Sequence, residues 1–250
     1  MISRTFFFIS LITIVIRAAA QDSIVTKEQR TGYVWQKPVA ITTTATAVFL
    51  GTTTLFLDHA TRVDIAVRDA VQQMRSKTWD GRALHFDDYL QFVPLSSVLA
   101  LKVAGVESEH NHREIMTRMT TGGIGLVLIA HAAKALISKG RPDSPYTMNS
   151  FPSGHTTTAF VGAEMLRLEY GKEMPIIPIV GYSAALLTGF MRLYNNRHWL
   201  GDVVAGAGVG IIIADLAYWL NGKVIDPTME RWTAKRKVRT PVQPMLEIKD

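Results

Sequence analysis

Apolar residues in this chain fall into helix-length blocks divided by short polar stretches, with no sustained alternation of the kind a half-buried strand requires. Phe6–Ile16 is an apolar run flanked by Arg4 and by Ala18-Ala19-Ala20, which reads as a secretory signal over residues 1–20, with an uncleaved anchor as the alternative. Val39–Leu57 is uncharged and long enough to cross a hydrocarbon core of about 30 Å. Its threonines can bond back to helix carbonyls, which lowers the cost of their hydroxyls in lipid. From Asp58 to Gln91 charged and apolar residues mix, and Ile65, Val67, Val71 and Met74 mark an amphipathic helix. Trp79-Asp80-Gly81 reads as a turn. Phe92–Val106 is a weaker apolar segment carrying Lys102. Stronger helices are predicted over Ile115–Ile137, from Ser153 to Tyr170, over Ile176–Met191 and over His198–Leu220, with glycine and proline in the loops between them. Gly206 and Gly210 lie four apart in the last of these, where a neighbouring helix can approach closely. The pattern predicts an all-α fold, a membrane bundle of about six helices. It divides the chain into a signal (1–20), an N-terminal helix with an amphipathic region (21–91), a helical core bundle (92–220) and a basic tail (221–250).

Composition sharpens this reading in three ways. Hydrophobic residues make up 48% of the chain and charged ones 19%, a balance that fits membrane helices joined by polar loops. The formal charge of +6 owes much to Lys235, Arg236, Lys237 and Arg239, a cluster that reads equally as a solvated basic tail or as one suited to an anionic lipid surface. No groove-reading module or aromatic interleaving accompanies these residues, which argues against nucleic acid as a partner. The chain has no cysteine, so disulfides and thiolate metal sites are excluded.

Candidate chemistry is confined to three polar clusters between the apolar blocks. Lys134 is followed seven residues later by Arg141-Pro142; then comes Pro152-Ser153-Gly154-His155; then Arg192, His198 and Asp202. Taken singly, each has an ordinary structural explanation: a lysine at a helix end, a turn, a helix cap, a surface ion pair. Together they supply what phosphoryl transfer requires. Lys134, Arg141 and Arg192 offer cations for the equatorial oxygens, with arginine as a planar fork and lysine as a point charge. The Ser153 and Gly154 amides at a helix start can bind an anion, and Gly154 has no side chain to block the approach. His198 and Asp202 read as an i, i+4 pair in which the carboxylate orients the imidazole for attack on phosphorus. His155 is placed to protonate the leaving oxygen and then to activate water. Three cations stand where many phosphatases use metal ions, so neither a metal nor a cofactor is expected.

The stretches KALISKGRP from Lys134, PSGH from Pro152 and RLYNNRHWLGD from Arg192 resemble the type 2 phosphatidic acid phosphatase superfamily. That family also includes bacterial acid phosphatases and vanadium haloperoxidases. The resemblance covers about 70 residues. It departs at Met191, where the family's third motif usually has a serine. It implies a helical bundle, a phosphohistidine at His198 and hydrolysis without metal.

Several membrane-length helices favour the lipid phosphatase branch, with phosphatidic acid, phosphatidylglycerol phosphate, undecaprenyl diphosphate or lipid A as the substrate. A secreted acid phosphatase and a non-catalytic lipid-phosphate binder or transporter are the alternatives. The expected partners are the membrane and a lipid phosphate, and the sequence leaves oligomeric state open. The signal and tail place the protein in a bacterial cell envelope membrane with the site facing the periplasm. An exported N-terminus and a cytoplasmic tail disagree by one crossing if every segment spans. Demoting Phe92–Val106 to a non-spanning helix resolves the count.

Overall fold

The computed structural model describes residues 60–78 and 81–239. The signal segment and Val39–Leu57 lie outside the described residues. Every regular element among the described residues is helical, in agreement with the periodicity. In chain order they are α1 (Arg62–Lys77), α2 (Asp87–Leu90), α3 (Val93–Val103), α4 (His112–Leu136), α5 (Gly154–Tyr170), α6 (Ile176–Tyr194), α7 (Leu200–Leu220), a π-helical turn (Asn221–Ile225) and α8 (Asp226–Arg239).

The bundle is built around α5. Its sequence is rich in Thr, Ala and Gly, and every residue from Thr156 to Leu166 is buried. Small side chains let the neighbours α3, α6 and α7 approach its backbone. Gly206 and Gly210 of α7 do what their spacing predicts. A Cβ on Gly206 would stand 2.8 Å from the Ser153 carbonyl oxygen, and one on Gly210 would stand 2.6 Å from that of Thr157. Because these obstacles are backbone atoms, they cannot turn aside. Gly210→Ala is therefore expected to lower stability by about 1–3 kcal/mol. Gly123→Ala, where an added Cβ meets nothing within 4 Å, serves as the control. Thermal unfolding in detergent distinguishes the two variants.

Among the described residues, three helices are long and apolar enough to cross a membrane: α4, α6 and the continuous stretch Leu200–Trp232. Their outward faces are apolar, with Ile124, Val127 and Leu128 on α4 and Ile179, Val180 and Leu187 on α6 exposed. Faces of this kind suit contact with lipid rather than water. At 11 residues α3 rises only about 16 Å. It is too short to cross, in keeping with the demotion of Phe92–Val106 to a non-spanning helix.

Several boundaries differ from the sequence reading, and the differences have local causes. Helix α1 forms where the amphipathic pattern places it, opened by a capping box between Thr61 and Asp64. Gly81 takes the left-handed conformation (φ +71°) and donates to the Thr78 carbonyl. The other two residues of that predicted turn, Trp79 and Asp80, lie outside the described residues. Helix α6 runs past Met191 to Tyr194, so Arg192 belongs to its last turn and not to the following loop. The chain does not leave its helical course at Asn221-Gly222. The Asn221 amide donates to the Ala217 carbonyl at 2.7 Å and to Thr121 at 3.1 Å, holding the π-helical turn against α4. Pro227 then falls in the first turn of α8, where a missing N–H costs little.

Up-and-down connectivity decides where the chemistry collects. The loop after α4 leads into the start of α5, and the loop after α6 leads into the start of α7. Both loops therefore lie at one end of the bundle. Helix α1 packs across that end: Gln72 Nε2 donates to the carbonyls of Leu193 and Tyr194, and the Gly201 N–H donates to Asp64.

Candidate active site

Loop 137–151, the start of α5, the end of α6 and the start of α7 bring the three polar clusters to the same end. His198 is buried, at 3% exposure, and lies just before α7 rather than within it. Its Nδ1 stands 2.8 Å from the Ser150 carbonyl oxygen. A carbonyl can only accept, so Nδ1 carries the proton. In the neutral ring Nε2 then holds the free electron pair. Burial pushes this imidazole down to about 4, against the opposing pull of Asp202 and with help from the nearby Arg141 and Arg192 charges. The ring is thus favoured in its neutral form, with its one proton on Nδ1.

Asp202 is a charged neighbour of His198 but is not hydrogen-bonded to it directly. With helix α7 beginning at Leu200, Asp202 is its third residue and not the helical partner of His198. Its Oδ2 accepts from the Trp199 N–H at 3.0 Å, the usual reach of a carboxylate at that position, and stands 3.8 Å from His198 Nδ1. That is too far for a hydrogen bond. Ser150 joins the two groups instead: its hydroxyl donates to Asp202 while its carbonyl accepts from His198. Asp202 also pairs with Lys139, whose Nζ is 3.0 Å from Oδ1 and 3.6 Å from Asp64. All three side chains of that ion cluster are buried.

His155, in the first turn of α5, is only partly buried. Its Nε2 lies 2.8 Å from an oxygen of Asp88, on the short helix α2. The carboxylate is held below its usual value, chiefly by this bond. Burial, and then the Arg192 charge, lower the imidazole against the opposing effect of Asp88 and Asp87. Arg192 is buried and donates through Nη1 to Asp87, which is 0% exposed; Asp88 stands 3.6 Å away. Asp87 is held from a second side by the amide of Asn195 at 3.1 Å.

Lys134 and Arg141 are not joined by a continuous helix, because α4 ends at Leu136. They meet on Asn149 instead. Lys134 Nζ donates to its carbonyl at 2.9 Å and Arg141 Nε to its side-chain oxygen at 2.7 Å. Ser153 occupies the cap position of α5, but its side chain is buried and bonds to the Thr156 hydroxyl at 2.9 Å. Its N–H donates to the Asp202 carbonyl at 3.0 Å, which takes it away from any anion in this arrangement. The neighbouring Gly154 has open space where a side chain would be.

The structure thus brings His155, Arg192 and α2 into one contact network, and His198, Asp202 and loop 137–151 into another. The Arg192 charge acts on both imidazoles. Five participants were missed from the sequence: Asp87, Asp88, Lys139, Asn149 and Ser150. Only Lys139, a lysine inside the quoted motif, carried a readable signal. Among the described residues, one group of donors lies close enough to hold a metal ion, Asp87, Asp88 and His155, with ligand atoms within 4.8 Å of one another. Arg192 already places a positive charge on both carboxylates of that group.

Residues 119–226 match the family model of the PAP2 superfamily. A lipid A 1-phosphatase of Porphyromonas gingivalis is 33% identical over 184 residues, which cover 72% of this chain and 41% of that protein. The chain therefore spans about two fifths of the length of that relative. A lipid A 1-phosphatase of Helicobacter pylori is 24% identical over 144 residues, covering 54% of this chain and 70% of the relative. Among solved structures, a transmembrane PAP2-type phosphatidylglycerolphosphate phosphatase from Bacillus subtilis superposes with a TM-score of 0.51 at 18% identity. The match covers 73% of this chain and 96% of that one, and at this identity it speaks to the fold alone.

Proposed function

We propose, from the match of residues 119–226 to the PAP2 superfamily model, that this chain is a membrane lipid phosphatase acting through a phosphohistidine. The observation that carries the reading is His198: a buried imidazole whose Nδ1–H is fixed on the Ser150 carbonyl, leaving Nε2 as an unprotonated nucleophile. In the first step Nε2 attacks phosphorus and the bond to the lipid oxygen breaks. His155 gives that oxygen a proton. In the second step His155 takes a proton from water, whose oxygen attacks phosphorus as the P–N bond breaks, returning inorganic phosphate and free His198. Arg192, Arg141 and Lys134 offset the charge on the phosphoryl oxygens, with the Gly154 amide at the start of α5. In this reading Arg192 keeps Nη1 on Asp87 and offers its other N–H groups, including the unpartnered Nε, to the phosphate, while Lys134 and Arg141 turn from Asn149. Asp202 supports His198 at one remove, through Ser150.

A lipid substrate is supported by the surroundings of the site. Phe86, Tyr89, Phe92 and Val93, which flank Asp88 and the start of α3, are all exposed, Tyr89 at 81%. Apolar side chains beside a phosphate site suit acyl chains, as do the apolar outer faces of α4 and α6. The same faces disfavour a freely soluble acid phosphatase. Among lipid phosphates, lipid A is the first candidate, because two relatives carry lipid A 1-phosphatase as their name. The basic residues of α8 follow the last span at the end away from the site. By the positive-inside rule the basic cluster after Trp232 supports a cytoplasmic tail and a site on the periplasmic face.

Assay of the purified protein in detergent against lipid A, phosphatidic acid, phosphatidylglycerol phosphate and undecaprenyl diphosphate tests this reading. Phosphate release that survives EDTA and is blocked by vanadate is the expected result. Binding of these lipids with no release from any of them would point to a non-catalytic role.

A further inference from the structure

Two imidazoles serve the proposed reaction, and the sequence reading assigned an orienting carboxylate to only one of them. Asp202 stands 3.8 Å from His198, whereas Asp88 is in direct contact with His155 at 2.8 Å. Resting on the phosphatase reading above, we propose that Asp88 is a positioning residue for His155: it accepts the Nε2–H and leaves Nδ1 to exchange the proton with the lipid oxygen and then with water.

The backbone around Asp88 is built to hold it there. The neighbouring Asp87 is buried and tied to Arg192 and to Asn195. Asn195 in turn exchanges two bonds with Leu84, donating to its carbonyl at 2.6 Å and accepting from its N–H at 3.0 Å. Helix α2 is therefore fastened to the end of α6 on both sides of Phe86. Asp88 itself needs no such fastening for the fold, since its side chain is 49% exposed. A half-exposed carboxylate on a clamped helix, aimed at an imidazole 67 positions away in sequence, is an arrangement with more use for chemistry than for stability.

The charge balance around His155 supports the same role. Arg192 opposes a proton on this ring; Asp88 and, less strongly, Asp87 favour one. His85 acts on Asp88. A ring that must donate a proton beside a guanidinium loses it too readily without a carboxylate partner. Nε2–H held on Asp88 offsets part of that loss, and Nδ1–H is then the proton transferred.

The experiment compares the wild type with Asp88→Asn and Asp88→Glu by two readouts. The first is the NMR titration of the His155 ring, which needs no turnover. The second is the pH dependence of kcat/KM on a lipid phosphate, whose alkaline limb reports the acid of the free enzyme. His155 is competent as an acid only while protonated, so activity falls as pH rises through its value. Removing the Asp88 charge lowers that value further. In Asp88→Asn both the ring titration and the alkaline limb are expected to move down together by about one pH unit. Asp88→Glu is expected to recover most of the shift, and all three proteins should unfold at similar temperatures. An alkaline limb that stays in place in an active Asp88→Asn enzyme overturns the proposal and leaves the phosphatase reading intact. Absence of turnover in the wild type overturns the phosphatase reading and this role with it, whatever the ring titration shows.

Discussion

Replacing His198 with alanine is expected to reduce turnover by about 10³-fold or more, because the covalent intermediate is proposed to form on this ring. Alanine alone does not isolate the chemistry. The ring is buried and its Nδ1–H satisfies the Ser150 carbonyl, so its loss also costs about 1–2 kcal/mol of stability. His198→Asn separates the two effects. Its amide N–H₂ can stand where Nδ1–H stands and donate to the same carbonyl, but it has no nucleophilic nitrogen. Asparagine is therefore expected to restore most of the thermal stability lost in the alanine variant while remaining equally inactive. Rates of phosphate release and unfolding temperatures, measured on the same preparations, check both halves. A His198→Asn enzyme with substantial activity would show that the imidazole acts only through its hydrogen bond.

Removal of the Arg192 side chain is the second large effect, and it falls on two properties. Asp87 is fully buried and its close charged partner is Arg192. Arg192→Ala strands that carboxylate in the interior, which is expected to cost about 3–5 kcal/mol. The same variant loses a donor for the phosphoryl oxygens, worth about 10²–10³-fold in kcat. A double variant, Arg192→Ala with Asp87→Ala, takes away both charges. It is expected to regain much of the stability and none of the activity. Thermal unfolding and kcat on the two single variants and the double variant form a cycle that measures the coupling directly. Equal instability in the double and the single variant would mean that the pair is not what holds α2 against α6.

Much of the fold was legible because membrane-length helices advertise themselves. The apolar blocks predicted α4, α6 and α7, and the amphipathic pattern predicted α1. The spacing of Gly206 and Gly210 anticipated the close approach to α5. The three clusters could be grouped because up-and-down connectivity sends alternate loops to one end. What failed lies at helix ends, where one residue changes the geometry. His198 and Asp202 look like one helical turn in sequence. The helix starts between them, so the carboxylate folds back onto its own backbone. Lys134 and Arg141 are united by Asn149, a partner that seven-residue spacing does not reveal. The Ser153 amide, expected to face an anion, is spent on the Asp202 carbonyl.

The largest omission was α2. Asp87 and Asp88 lie 105 and 67 positions from the residues they contact, and nothing in the run HFDDYL distinguishes them from a solvated acidic pair. Only tertiary packing, through Asn195 and Leu84, brings them to Arg192 and His155. Ser150 was invisible for a related reason. Its contribution to His198 comes from its backbone carbonyl, which any residue would supply, while its hydroxyl links that point to Asp202.

The central claim is that phosphorus becomes bonded to His198 during turnover. Rapid mixing of the protein with a lipid phosphate, a quench into alkali where phosphohistidine survives, and mass spectrometry of the peptides test it most directly. Phosphate is expected on the peptide containing His198 within the first turnover, and on no peptide of the His198→Asn variant. Steady phosphate release from the wild type with His198 unmodified at every quench time would contradict it.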